Sequence, residues 1–281
     1  MSGRRLSLRD IFFSIPTGLL AVIIFALVLG ATAVGALIGK RVSHMSETLS
    51  EPLGVLQGAL LGVVGLIMAF GLSLAVSRYE TRRTAVVDEA NAIGTTYLRA
   101  QTLPEPEREQ SLKLLVSYNE SAVQLPEYVP GSDEEMAAGE REHEIQTELW
   151  GLAGDSLNDE PVDSAPRLYV ETLNEMIDTE ASRVAALNNR VPGAVLVFEL
   201  LGAMLALGLL AAYLAIIGRG ILAVSMASVL VAFLLFITCD LDRPTRGLIQ
   251  VPTTALDEQL EEMQQPPAAR GPDDPPLRPL T

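Results

Sequence analysis

The sequence predicts an all-α membrane protein, with four transmembrane helices and a helical cytoplasmic domain inserted between spans two and three. Three observations carry that prediction. The 281-residue chain is 49 % hydrophobic yet holds 35 acidic and 20 basic residues, and the two classes are segregated into blocks. Stretches 11–39, 52–77 and 220–239 contain no charge, and 191–218 contains only Glu199. About 20 apolar residues cross a ~30 Å hydrocarbon core as a helix, so each block is long enough to span. The basic residues, finally, crowd toward one side of the four blocks.

Taken in order, residues 1–14 form a cytoplasmic segment carrying Arg4, Arg5 and Arg9, and 15–39 form span one. That block is far longer than the roughly 7–15 apolar residues of a cleaved signal, so it reads as a retained span. Residues 40–51 are an external loop, 52–77 span two and 78–190 the acidic domain. Span three covers 191–217, and Gly218-Arg219-Gly220 turns tightly into span four, 221–239. A juxtamembrane cytoplasmic segment, 240–262, precedes a Pro-rich tail, 263–281, whose composition predicts disorder. The single cysteine, Cys239, excludes an internal disulfide.

Four spans put both termini on the side of the 78–190 connection. Near the span ends on that side lie Arg4, Arg5, Arg9, Arg78, Arg82, Arg83, Arg183, Arg190, Arg243 and Arg246, against Lys40, Arg41 and Arg219 opposite. The positive-inside rule therefore places the termini and the large connection in the cytoplasm.

The connection holds 23 acidic and 10 basic residues, most of the net charge of −15. Prolines 104, 106, 126, 130, 161, 166 and 192 mark its breaks. Between them apolar residues recur at helical spacing: Val86, Ala90, Ile93 and Tyr97 in one stripe, Leu173, Ile177, Ala181, Val184 and Leu187 in another. About four helices follow from this, the first continuing span two and the last leading into span three. Asp163 or Ser164 caps the last, with Pro166 in its first turn.

Within the spans, Gly54, Gly58, Gly62 and Gly65, followed by Ala69, share one helical face of span two. Small residues so spaced let another helix approach closely in lipid. Ordinary packing inside one subunit is one reading; subunit–subunit packing or a pore-side role is the other. Glu199 lies about two turns into span three. A carboxylate there costs roughly 2.5–3.5 kcal/mol on insertion scales, so it faces protein or water, or stays protonated. Either it serves an ion or proton path, or it is wetted at the interface or paired with Arg183 or Arg190. Gln57, Ser73 and Ser77 in span two are weaker candidates for the same path.

Enzyme chemistry finds no foothold. His44 and His143 fall on opposite sides of the membrane, and with one cysteine they make no metal site. No phosphate-binding loop or nucleophile elbow is present, and no cofactor is implied. The carboxylates of 131–163, such as Asp133-Glu134-Glu135, read as a solvated face. So acidic a surface does not suit nucleic acid.

Two juxtamembrane segments stand out. In SRYETRRTAVVDEANAIGTTYLRA, 77–100, Arg78, Arg82 and Arg83 leave the membrane on a continuous helix near the acidic lipid surface. Asp88 and Glu89 follow within salt-bridge reach along or between helices. The second, 239–249, sets Asp240, Asp242, Arg243 and Arg246 at the end of span four and is expected to fold back onto 78–100.

With EPLGVLQGALLGVVGLIMAF at 51–70 and LDRPTRGLIQV at 241–251, the first of these segments resembles the bacterial bestrophin-like domain family, over roughly residues 15–262. Membership implies a bacterial inner membrane and a more distant relation to true bestrophins, which are pentameric ion channels with four spans per subunit. Their span two lines the pore, which implies a homo-oligomer, a pentamer by resemblance, with Gln57, Phe70 and Ser73 near a path for monovalent ions. Three departures are visible. Phe70 is the only aromatic in span two, where bestrophins narrow the pore with several. Thr245 replaces a common phenylalanine, and Leu248-Ile249-Gln250-Val251-Pro252 lacks the carboxylate cluster that clasps calcium there. Asp240 and Asp242 alone supply too few of the six to eight oxygens that calcium prefers. The expectation is thus a channel whose acidic domain forms a cation-favouring vestibule, or a non-conducting scaffold or sensor that binds a partner through its cytoplasmic helices.

Overall fold

The computed structural model describes residues 15–43, 46–128, 132–159, 164–267 and 269, with backbone alone for 46–53 and 127. The expectations for Arg4, Arg5, Arg9, His44, Pro130, Pro161, Asp163 and the tail beyond 269 lie outside the described residues. The described residues form eight α-helices and no strand. They are α1 (Thr17–Val42), α2 (Ser46–Ala100), α3 (Glu107–Gln124), α4 (Asp133–Asp159), α5 (Ser164–Asn188), α6 (Gly193–Ile217), α7 (Ile221–Leu241) and α8 (Thr254–Met263).

Four of these are long and apolar enough to cross a membrane: α1, α2 through its apolar part, α6 and α7. The stretch expected as a loop, 40–51, is largely helical, since α1 runs to Val42 and α2 starts at Ser46. Backbone hydrogen bonds continue a helix past its apolar block, so span and helix ends need not coincide. α8 was not expected; it lies inside the segment read only as juxtamembrane.

The chain divides into two compact units: unit one, Met1–Glu80 with Asn189–Gln250, and unit two, Thr81–Asn188 with Val251–Thr281. In unit one, α1 packs against α6 and α7. Its closest approach is at Gly35 and Gly39, where a Cβ would overlap the backbone carbonyls of Gly208 and Ala212 on α6. Small residues four apart give this contact its energy through dispersion, because lipid supplies no hydrophobic drive between helices. Thr32 and Ser228 join α1 to α7 through a buried hydroxyl pair at 2.7 Å. The two hydroxyl hydrogens are shared between this pair and the carbonyls one turn back, Val28 and Val224, so neither hydroxyl is left unsatisfied in an apolar layer. Leu20, Ile24 and Val28, Val64 and Met68, Ala203 and Leu207, and Leu235 and Phe236 fill the core from α1, α2, α6 and α7.

The α6–α7 hairpin closes on Gly218 (φ 76°) and Gly220 (φ 81°), backbone settings that a side chain rarely tolerates. The Arg219 amide reaches back to the Leu214 carbonyl at 3.1 Å and satisfies the end of α6.

In unit two, the stripe Val86, Ala90, Ile93 and Tyr97 is buried as predicted, against Leu115, Tyr118, Leu149, Tyr169, Leu173 and Leu256. The α5 stripe needs correction. Ala181 is exposed and Val184 and Leu187 are half-buried, whereas the buried face runs Leu173, Met176, Arg183. A buried arginine takes the place that an apolar reading gave to its neighbours. α8 is held by two hydrogen bonds, Asn119 donating to the Leu256 carbonyl (3.2 Å) and Tyr97 to that of Met263 (2.8 Å), and by Gln259 packing where a Cβ on Gly94 would be.

Candidate functional site

α2 divides its residues between two faces, and the division decides which of the expected span residues belong together. Val64, Met68, Gly71 and Ala75, spaced by four, three and four, are buried. Gln57 falls on this same side, half-buried, with its carbonyl oxygen enclosed and accepting no hydrogen bond among the described residues. Gly58, Gly62, Gly65, Ala69 and Ser73, again at threes and fours, lie exposed on the other side, with Phe70 (66 % exposed) and Ser77 at its margin. Gln57 is therefore separated from Phe70 and Ser73.

The glycines expected to pack inside one subunit mostly do not. Gly54 sits against the Tyr213 ring, where a Cβ would come within 3.1 Å of the hydroxyl, but nothing approaches a Cβ at Gly58, Gly62 or Gly65 within 4 Å. Close helix packing in this unit is supplied by Gly35 and Gly39 instead, which the sequence reading passed over.

Glu199 is buried, 1 % exposed, and neither carboxyl oxygen takes part in a hydrogen bond among the described residues. Its carboxyl occupies the space that a Cβ on Gly71 would fill. It lines an apolar groove of about 260 Å³ between α2 and α6, together with Leu60, Val63, Ile67, Leu201 and Leu205 among others. The readings that wet Glu199 at the interface or pair it with an arginine are corrected. Arg183 is bound to Glu89, and Arg190 donates to the Asp242 carbonyl at 2.8 Å.

At the end of α7 the Asp240 carboxylate accepts the amides of Leu248 (2.8 Å) and Ile249 (2.9 Å) and closes a turn. Gly247 is needed there, since a Cβ would stand 2.7 Å from the Asp240 carbonyl. Asp242 accepts the Val191 amide at 2.8 Å, Arg243 donates to the Ile15 carbonyl, and Thr17 donates to that of Arg246 at 2.6 Å. These side chains tie the turn to the starts of α1 and α6, and Asp240, Asp242 and Arg243 are all buried. Among the described residues, no cluster of three or more metal-ligating acids, histidines or cysteines occurs.

In unit two, Glu89 is fully buried and ion-paired to Arg183 across the α2–α5 contact, with Tyr118 of α3 donating to its other oxygen at 3.1 Å. Burial pushes the Glu89 carboxyl up, and Arg183 and Tyr118 pull against that. Glu142 of α4, also buried, approaches the far side of Arg183 at 3.9 Å. Burial pushes it up to about 7, with the Arg183 charge opposing and the Glu180 and Glu89 charges adding. Arg82 is buried and donates to the Ala186 carbonyl at 3.3 Å, Arg83 is exposed and Arg78 half-buried. Glu142 was missed because it lies in an acidic run read as a solvated face. Asp133 and Glu134 are indeed exposed, but Ala138, Glu142, Leu149 and Ala153 share the buried stripe.

Four apolar helices, tight small-residue packing and one enclosed carboxyl between two of them define a multi-pass, all-helical membrane protein. The chain belongs to the bestrophin-like family: the family model for the bestrophin-like domain matches residues 22–256. No curated protein matches it. A bacterial bestrophin homolog from Klebsiella pneumoniae has a similar structure, with TM-score 0.61 at 17 % identity over 85 % of this chain and 99 % of that one. A tryptophan-to-alanine variant of that homolog gives 0.62 at 17 % identity, over 85 % and 97 %. A membrane protein with a proline-to-alanine substitution gives 0.62 at 17 %, over 86 % and 99 %. At such identity the likeness is one of fold.

Proposed function

We propose that the protein is an oligomeric ion channel of the bacterial inner membrane, with both termini and residues 78–190 in the cytoplasm, and that it does no enzymatic chemistry. The observation that carries this reading is the open small-residue face of α2. Gly58, Gly62, Gly65, Ala69 and Ser73 face away from the rest of their own unit, while the opposite side of the helix is anchored in it. A helix so divided can line a path shared between copies, and family membership supports a homo-oligomer, by resemblance a pentamer, in contact with lipid. Phe70, Ser73 and Ser77 are the path candidates on that face; Gln57 and Glu199 lie behind it and act on conduction through the packing of α2. The acidic excess of 78–190 favours cations by concentrating them near a pore.

Purified protein in liposomes, under separate potassium, sodium and chloride gradients, tests this. Selective flux absent from empty liposomes is expected. No flux from folded, oligomeric protein, across pH and calcium conditions, would sink the channel reading. One observation favours the second reading, a non-conducting scaffold or sensor. Met136 and Trp150 of α4 are large apolar side chains left 46 % and 47 % exposed outside the spans, as a partner-binding surface would leave them.

A further inference from the structure

Unit two encloses more acid than base. Glu89 on α2 and Glu142 on α4 are both buried, and the guanidinium between them belongs to Arg183 on α5. Two further groups face this cluster: the Tyr118 hydroxyl from α3 and the Glu180 carboxylate, about one turn before Arg183 on α5. The donors are shared unequally. Glu89 takes the direct ion pair with Arg183 and the hydrogen bond from Tyr118. Glu142 stands 3.9 Å from Arg183, and its Oε1 accepts no hydrogen bond among the described residues.

We infer that Glu142 is a proton-binding site in the core of unit two, because the one guanidinium within its reach is committed to Glu89. A single positive charge cannot balance two enclosed carboxylates, and a third, Glu180, adds to the excess. The acid with fewer donors takes the proton. Protonation leaves one ion pair, Glu89–Arg183, and a neutral carboxylic acid on α4. Loss of that proton puts a second carboxylate on the buried face of α4, beside an arginine already paired to Glu89, and weakens the hold of α4 on α3 and α5. The shift of Glu142 to about 7 agrees with the geometry. The site is independent of conduction and stands whether or not the protein passes ions.

Hydrogen–deuterium exchange on the full chain in lipid nanodiscs, from about pH 5.5 to about pH 8.5 and corrected for intrinsic exchange, tests the inference. Protection of α4 peptides is expected to fall roughly tenfold across this window, with a midpoint near 7. Glu142→Gln should flatten the profile at the protected level. Glu180→Gln, at a half-buried position, should move the midpoint to lower pH by removing one neighbouring charge. A flat wild-type profile, or a midpoint unmoved in Glu180→Gln, overturns the assignment even if Glu142→Gln does not fold.

Discussion

The carboxyl of Glu199 lies where the side chain of any residue but glycine at position 71 would begin. The pair fixes how closely α2 and α6 approach, since the acid on one helix fits against bare backbone on the other. Gly71→Ala should therefore destabilise the protein by about 1 kcal/mol, against a helix propensity that alone would favour alanine by a similar amount. In a Glu199→Ala background the same change should turn neutral or stabilising. Thermal unfolding in detergent of the two single variants and the double variant gives the coupling, and simple additivity would show that the two residues do not constrain each other.

Gly35 and Gly39 meet backbone, not a movable side-chain end. Gly35→Ala should cost about 2 kcal/mol or more, because neither helix can yield without losing contact along its length. Gly62→Ala meets nothing within 4 Å, so helix propensity should leave the melting temperature of the isolated subunit unchanged or slightly raised. If the open face lines a shared path, Gly62→Ala should instead alter flux or subunit association. Equal melting shifts for the two variants would contradict this division of roles.

Removing one member of the unit-two ion pair leaves the other charged and enclosed. Arg183→Ala should cost about 3–5 kcal/mol. Tyr118→Phe, which removes one donor to Glu89 and keeps the ring, should cost about 1–2 kcal/mol. Chemical denaturation followed by circular dichroism separates the two. A Tyr118→Phe loss as large as that of Arg183→Ala would show that Glu89 depends on the hydroxyl as much as on the guanidinium.

Stability should also depend on pH with a definite sign. Folding raises Glu142 from 4.5 to about 7, so the native protein binds a proton that the unfolded chain releases. The contribution is complete below about 4.5 and is lost as pH rises through about 7. It amounts to ~3 kcal/mol at most, and the upward shift of Glu89 adds in the same direction. Unfolding free energy measured across this window should fall toward alkaline pH, and a rise would show that other groups dominate.

At the end of α7, Asp240→Ala removes a charged acceptor from two backbone amides and should cost about 2–3 kcal/mol. Asp240→Asn, which keeps one oxygen, should cost less. Limited proteolysis at 243–249 reads the loosened turn directly, and equal cleavage in wild type and variants would remove Asp240 from this role.

The sequence made the spans legible because a bilayer imposes a length of apolar residues that charge interrupts visibly. It also showed the α2 stripe from Val86 to Tyr97, whose spacing repeats without exception. What it hid were contacts that depend on distant partners. Glu89 stood out in a motif, but Arg183, 94 residues later, carries no local mark of being its partner. Glu142 was masked by the acids around it, although counting helical turns from Ala138 to Leu149 places it among buried residues. The small-residue series was read in α2, while the glycine pair of α1 passed unread. Composition could not tell the pair that touches another helix from the series that faces outward, because both need the same residue type for opposite reasons.

The turn after α7 has a consequence for the order in which unit one assembles. Asp240 reaches partners only eight and nine residues away, whereas Asp242 binds Val191, 51 residues earlier, and Arg243 binds Ile15, 228 residues earlier. Closing a loop of about ten residues takes on the order of 10–100 ns, so the short turn is made as soon as its own stretch of chain is free. It then presents Asp242 and Arg243 already aimed, and the last helix to be synthesised in this unit carries the latch for the first.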